Sequence, residues 1–424
     1  MRVPVVIIGA GPAGLAMSRH LTTAGIDHVV LERGEVAHSW RTERWDSLRL
    51  LTPNWMSALP GHRYRGDDPD GFMTASETVA FLEGYRRSFD PPVLTDVTVG
   101  RVRRTTDGFD VESNAGSWQC DVLVAATGAS SEPRVPALAA DLPARIDQLT
   151  AHEYRRPSQL DPDGEILVVG ASASGVQIAD ELRRTGRGVT VAVGEHIRLP
   201  RSYRGRDIYW WMDTIGQLDE RYDEVDDVER ARRHASVQLV GTPERADLDL
   251  NTLRRRGVRL VGRLAGIAGS AAQCSGSLTN LVANADLKQA RLLARVDEFV
   301  ATTGLEAEVG PAMAPAATDV PTPPTQLELA AFSTVIWATG YRPHYSWLDP
   351  SAFDRRGRVA HDGGVAQVPG LYVLGLPMMR RRRSNLLGGV GRDAADLFLH
   401  LRVHLDHVAM RRLASPTAAA GSRA

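Results

Sequence analysis

"ILVVGASASGVQIADEL", Ile166 to Leu182, runs from an apolar β-branched segment through a small-residue turn into a helical pattern. Strand, glycine turn and helix in that order make a dinucleotide-binding turn. The chain has already opened on the same arrangement, "VPVVIIGAGPAGLAMSRHL", Val3 to Leu21. Two such turns in 424 residues predict an α/β protein of two dinucleotide-binding domains, since one hydrophobic core rarely extends that far.

In the first turn, "GAGPAG", Gly9, Gly11 and Gly14 keep the G-x-G-x-x-G spacing, with Pro12 and Ala13 between the last two. Val3 to Ile8 are β-branched apart from Pro4, as a buried strand requires. Gly9 permits the tight turn, Gly11 lets backbone N–H groups approach a pyrophosphate, and Gly14 lets the helix close on the strand. The next strand, "HVVLE", ends at Glu32, with Arg33 after it. A carboxylate there accepts from a ribose 2′-OH and repels a 2′-phosphate, so this site is read as holding FAD or NAD rather than NADP.

In the second turn Gly170, Ser172, Ser174 and Gly175 occupy the corresponding places, and Ser172 replaces the middle glycine. The nucleophile elbow G-x-S-x-G of esterases is set aside because Ser174 stands where its last glycine belongs. Both serines are read as donors to phosphate oxygens. The following strand, "GVTVAVG", is closed by no acid at Val193 or Gly194, although Glu195 comes next. Then "HIRLPRSYRGRD" supplies Arg198, Arg201, Arg204 and Arg206. Guanidinium groups match phosphate bidentately, so Arg198 and Arg201 are read as the 2′-phosphate site of NADPH. A solvated basic loop is the competing reading, and Glu195 counts against the phosphate. One site that avoids a 2′-phosphate and one that accepts it imply hydride transfer between two cofactors.

Two similar segments mark where the chain crosses between domains. "DVLVAATGASSEPRVPAL" (Asp121 to Leu138) contains Thr127 and Gly128, and "STVIWATGYRPHYSWL" (Ser333 to Leu348) contains Thr339 and Gly340. Near the end "GLYVLGL" reads as a buried strand, and "GGVGRDAADLFLHLRVHL" as a helix with Gly391 and Asp393 near its start. The expected organisation is a first domain from residues 1–150 and 326–412, a second inserted over 151–325, and a disordered tail over 413–424. Residues 308–326, rich in Pro and Ala, read as an irregular connector.

Composition narrows the function. A net charge of −1 points to neither nucleic acid nor an anionic membrane as partner. No run approaches the length of a membrane span, and glycines interrupt the apolar start, which is therefore read as a strand and not a signal peptide. Two distant cysteines, Cys120 and Cys274, with no C-x-x-C, argue against a redox dithiol and fit a cytoplasmic setting. The 12 histidines show no metal-ligand spacing, so no metal is expected. "YWWMDTIG" (Tyr209 to Gly216) reads first as core and second as pocket wall. "RRRR" (Arg380 to Arg383) reads as a solvated basic turn or as a partner for a carboxylate or phosphate.

These motifs together resemble the class B flavin-dependent monooxygenases, the family of flavin-containing monooxygenases and the YUCCA enzymes, in its bacterial branch. The resemblance rests on "GAGPAG" with Glu32, "HSWRTERWDSLRLLTPNWMS" (His38 to Ser57), "GASASG", both Ala-Thr-Gly segments, and "GLYVLGL" with "GVGRDAA". It implies FAD at the first turn and NADPH at the second. Trp40 and Arg41 fall in the flavin-contacting segment, and Asn54 resembles a polar residue near the flavin ring. It also implies a monooxygenase in which O₂ adds at the flavin C4a and one oxygen passes to a small organic substrate. A reductase passing electrons from NAD(P)H to another acceptor is the alternative. The family box F-x-G-x-x-x-H-x-x-x-(Y/W) is relaxed here: His152 is kept, but Ile146, Gln148 and Arg156 replace its other members.

Overall fold

The β-branched opening becomes strand β1 (Arg2–Ile8), whose Val5, Val6 and Ile7 are fully buried in the computed structural model, which describes residues 1–233 and 236–414. Helix α1 (Pro12–Thr23) and strand β2 (His28–Leu31) follow. Strand β3 (Gly116–Ala125) lies parallel on the other side of β1. Ile8 is level with Leu31 and with Ala125, so the three strands end together. Their carboxyl ends present Gly9, Glu32 and Thr127 to one crevice, where open α/β sheets bind ligands.

The chain leaves this sheet through the short strand β4 (Glu132–Pro133) and builds a second. Its strands are β5 (Asp147–Thr150) and β6 (Glu165–Val169), then, after helix α2 (Ala173–Arg184), β7 (Val189–Ala192) and β8 (Arg259–Val261). A long helix, α3 (Leu278–Thr303), precedes strand β9 (Phe332–Trp337), which inserts between β5 and β6. The order is β5-β9-β6-β7-β8, all parallel. Strand β10 (Tyr341–Arg342) then returns the chain, pairing antiparallel with β4. The two Ala-Thr-Gly segments therefore end strands of different sheets, and the outgoing and returning chains run side by side. Strand β11 (Leu371–Val373) rejoins the first sheet beside β3, and helix α4 (Leu387–Ala414) packs on α1.

This pairing moves both expected boundaries. The sequence pattern places Phe332–Trp337 in the returning part of the first domain and Asp147–Thr150 in its opening part. Both lie in the second sheet, which thus extends to Trp337. Apolar strands such as "STVIW" suit the interior of either sheet, and only their partners decide between them. Residues 310–324 adopt no regular structure. Of the expected tail, Leu413 and Ala414 continue α4, and 415–424 lie outside the described residues. The aromatic segment forms core: Trp211 is fully buried, and Tyr209 and Met212 nearly so. Among the described residues no helix is long and apolar enough to cross a membrane.

A chain ending at Gly310 lacks β9, an interior strand of the second sheet, as well as β11 and α4 of the first. It should show no cooperative unfolding transition by circular dichroism, whereas a cooperative transition would mean the sheets close without those strands.

Candidate functional site

A cleft of about 590 Å³ opens at the carboxyl edge of the first sheet and reaches the first turn of α2, within the usual range of ligand sites. Gly9, Gly11, Pro12, Ala13, Glu32, Arg33, Trp40, Thr127 and Gly128 line it, and Ser174 joins them from the second domain.

The glycines of the first turn separate into two kinds. A Cβ on Gly14 would sit 1.8 Å from the Gly9 carbonyl oxygen, and one on Gly9, where φ is +105°, would sit 2.6 Å from that of Ala126. Those two are demanded by the protein's own packing. Gly11 has φ −81° and nothing within 4 Å of a Cβ placed there. Neither backbone strain nor a neighbour requires a glycine at that position. The open space there is what the close approach of a dinucleotide pyrophosphate would use. The second turn repeats the pattern: a Cβ on Gly175 would meet the Gly170 oxygen at 2.0 Å, and one on Gly170 the Ala338 oxygen at 2.3 Å. Helices α1 and α2 both start without a side-chain cap and without an acid in the first turn. Their leading N–H groups and positive dipole ends remain available to phosphate.

Glu32 is buried and accepts from the backbone N–H of Ala10 at 2.6 Å and of Gly34 at 3.3 Å. Burial raises its carboxyl pKa and these two donors pull it back. Arg33 pairs with Glu43. Trp40 faces the cleft, but Arg41 does not: its guanidinium meets Glu83 at 2.8 Å and Glu35 at 3.3 Å, and its Nε donates to the Val36 carbonyl.

Several expected site residues turn out to be structural. Arg198 is 6% exposed and holds Asp249 and Asp286, each at 2.8 Å, together with the Ala316 carbonyl of the connector. Arg201 is 2% exposed, pairs with Asp207 at 2.7 Å and donates to the Leu51 carbonyl. Both guanidinium groups are already engaged by carboxylates, which leaves neither turned to a 2′-phosphate. Asn54 is committed at both ends of its amide, donating to the Asp68 carbonyl at 2.9 Å and accepting from Met73 N–H at 2.7 Å. It ties a loop, while nearby Thr52 reaches the cleft. Thr339 donates to the Arg134 carbonyl and Gly340 accepts from Arg134 N–H, so both fasten the β4–β10 crossing and stand away from the cleft. Gly391 seats α4 on Pro60, where a Cβ would come within 2.9 Å. Asp393 is fully buried against Arg381 at 2.8 Å. The four arginines 380–383 all face carboxylates, of Asp396, Asp393, Glu220, Asp213 and Asp219.

At the second turn Ser172 donates to the Ser236 carbonyl at 3.2 Å, while Ser174 faces the cleft. The relaxed box around His152 docks the second domain on the first. Arg155 donates to the carbonyls of Thr42 and Arg44, and Asp46 N–H donates to the Arg155 carbonyl at 2.8 Å. His152 stacks on Tyr341 with ring centres 4.6 Å apart. Burial, then the nearby Arg44 charge, push its imidazole pKa down to about 4.

Sequence reasoning missed most of the cleft wall. Arg44, Trp45, Leu48, Leu50 and Leu51 line it from the first domain, and Asn385, Leu386, Leu387 and Val390 from the start of α4. The signal was the segment from His38 to Ser57, where apolar side chains alternate irregularly with arginines. Both cysteines are buried, Cys120 in β3 and Cys274 at residues 271–274 of another sheet, and burial pushes their thiol pKa values up to about 12 and about 11. They form no dithiol.

Comparison with known proteins agrees with this architecture. A profile of the pyridine nucleotide-disulphide oxidoreductase family matches residues 6–207. An oxidoreductase described as CzcO-like from Geobacillus kaustophilus (strain HTA426) is 31% identical over 406 residues, spanning 95% of this chain and 99% of its own. The indole-3-pyruvate monooxygenase YUCCA6 of Arabidopsis thaliana is 31% identical over 216 residues, 48% of this chain and 51% of its own. Among solved structures, a flavin-containing monooxygenase from Stenotrophomonas maltophilia superposes with a TM-score of 0.66 at 22% identity, covering 95% of this chain and 99% of its own.

The two kinds of glycine give opposite outcomes. Gly11→Val should fold with unchanged thermal stability yet retain no flavin, whereas Gly14→Ala should lower stability by about 1–3 kcal/mol through overpacking. Flavin content and melting temperature measured together separate the two, and full flavin in folded Gly11→Val would refute the assignment. Arg198→Ala should cost about 3–5 kcal/mol, because it strands Asp249 and Asp286. A change in NADPH-over-NADH preference at undiminished stability would show instead that Arg198 reads the nucleotide.

Proposed function

The chain belongs to the CzcO-like oxidoreductases of the class B flavin monooxygenase family, with FAD and NADPH as cofactors, and from there we propose its reaction. It oxidises NADPH, reduces O₂, and places one oxygen atom on a small organic substrate, the other leaving as water. The observation that carries this reading is one cleft shared by the glycine turn of the first domain and the first turn of α2. FAD, when bound, supplies the hydride acceptor and the centre at which O₂ is activated.

The chain's own residues bind, orient and exclude water. Backbone N–H groups at the start of α1 receive one pyrophosphate, and Glu32 accepts from the ribose of the same nucleotide. The start of α2, with Ser174, receives the second nucleotide across the same space. Leu48, Leu50 and Leu51 on one side and Leu386, Leu387 and Val390 on the other give the cleft an apolar wall. A dry site keeps activated oxygen from being lost as peroxide before the substrate reacts. No side-chain nucleophile or redox thiol is required, in keeping with two buried, separated cysteines.

With a substrate that couples, one oxygen atom from ¹⁸O₂ should appear in the product for each NADPH oxidised, with little H₂O₂ released. Candidate amines, sulfides and ketones are screened by substrate-stimulated NADPH and O₂ consumption. Stoichiometric H₂O₂ and unlabelled product with every compound would replace this reading with that of a reductase.

A further inference from the structure

Two arginines that line the cleft, Arg44 and Arg49, enter no ion pair among the described residues, and Arg49 is taken up by the Phe72 carbonyl at 2.8 Å, which leaves Arg44 as the one turned to the open space. Arg33, Arg41, Arg198 and Arg201 each meet a carboxylate. Arg44 lines the cleft, and the hydrogen bond it donates is to the carbonyl of Glu43 at 2.7 Å, while the Glu43 carboxylate turns to Arg33. No ion pair among the described residues includes Arg44, although five N–H donors radiate from its head. What holds it is aromatic: its head lies 5.4 Å from the Trp40 ring centre and 6.0 Å from that of Tyr341. Ring faces stabilise a cation by only about 0.5–2 kcal/mol and use none of its N–H groups. A partly buried guanidinium with no anion beside it is costly to hold. Such a group, facing a cleft, is poised for an anion that arrives from outside.

The neighbours say which anion. Val169, at the end of β6 where the turn to α2 begins, is level with Trp337 of β9, and Tyr341 follows β9, so the ring, and Arg44 beyond it, stand at the same sheet edge as that helix start. The helix start is uncapped, and Ser174 and Ala173 line the same cleft as Arg44. Positive helix dipole and unpaired guanidinium thus bracket one region from opposite domains. Arg is suited to the bidentate geometry of phosphate oxygens. The 2′-phosphate end of a nucleotide on α2 would lie beyond β7, near Glu195, on a different part of the sheet edge.

We propose that Arg44, supplied by the first domain, binds the pyrophosphate of the nicotinamide nucleotide seated on the second domain's α2. It is then a cofactor-binding residue that holds the nucleotide across the domain seam, with Trp40 and Tyr341 as its positioning residues. The proposal rests on a nicotinamide nucleotide binding at α2, not on the oxygen-transfer step.

The test is equilibrium titration of the FAD-loaded protein with NADP⁺ and with NAD⁺ by calorimetry, for wild type, Arg44→Met and Arg44→Lys. Met keeps the packed stem without the charge, and Lys keeps a charge without the fork. Arg44→Met should weaken both nucleotides by the same factor, about 10- to 100-fold, with FAD content unchanged, and Arg44→Lys should recover part of the loss. Unchanged affinity for both nucleotides would overturn the proposal. Loss of NADP⁺ alone would place Arg44 at the 2′-phosphate, and loss of FAD with nucleotide binding intact would place it at the flavin, and either result also overturns it. Should Arg44→Met fail to fold, the Lys variant decides, since a replaced fork still predicts an equal loss for both nucleotides. Monooxygenation is not read in this experiment, so a failure here leaves the oxygen-transfer reading to its own test.

Discussion

A methyl group on residue 14 would lie 1.8 Å from the carbonyl oxygen of Gly9, and one on residue 175 would lie 2.0 Å from that of Gly170. These two contacts, backbone against backbone, fix how closely each helix lies on the strand before it. Close packing puts the first N–H groups of α1 and α2 at the carboxyl edges of their sheets, with their dipoles directed into the space beyond. Everything ascribed to the cleft depends on that placement. A larger side chain at either position would push the helix outward and turn its donors away from the ligand.

The second constraint is the seam between the sheets. Each sheet ends at its own crevice, and two crevices make one working site only if they face each other. Arg155 donates to carbonyls of residues 42 and 44, β4 pairs with β10, and His152 stacks on Tyr341. Backbone hydrogen bonds and ring contacts of this kind hold orientation without burying paired charge in the cleft. Arg33, paired with Glu43, borders the cleft, and the other paired arginines lie elsewhere. Arg198 ties the irregular connector to the second domain, Arg382 and Arg383 tie the segment before α4 to the chain between residues 213 and 220, and Arg380 and Arg381 tie that segment to α4 itself.

The sequence was most legible where backbone geometry leaves a residue no choice. Gly9, Gly14, Gly170 and Gly175 announced two strand–turn–helix units because no other residue fits there. Glu32 was legible by its place at a strand end. Arginine was least legible: Arg198, Arg201 and Arg41 have the right type and a plausible location, but Arg198 and Arg41 have acidic partners distant in sequence, Asp249, Asp286 and Glu83, and Arg201 turns back on Asp207 six residues on, pairings that no local pattern discloses. Asn54 failed for the same reason, its amide being satisfied by backbone groups of residues 68 and 73. The strand Phe332–Trp337 was seen as a strand but placed in the wrong sheet, because its apolar pattern records burial and not partners. Nothing in the sequence sets Arg44 apart from Arg41, and only the structure shows that Arg41 has carboxylate partners and Arg44 none.

The central claim is that two nucleotides meet in one cleft so that a hydride passes between them. Rapid mixing of the FAD-loaded protein with NADPH in the absence of O₂ addresses it directly. The visible flavin absorbance should bleach in full with one NADPH oxidised per flavin, and hydrogen should move from the nicotinamide without exchange with solvent. A flavin that stays oxidised while NADPH binds would contradict the account, because the two turns would then serve separate sites.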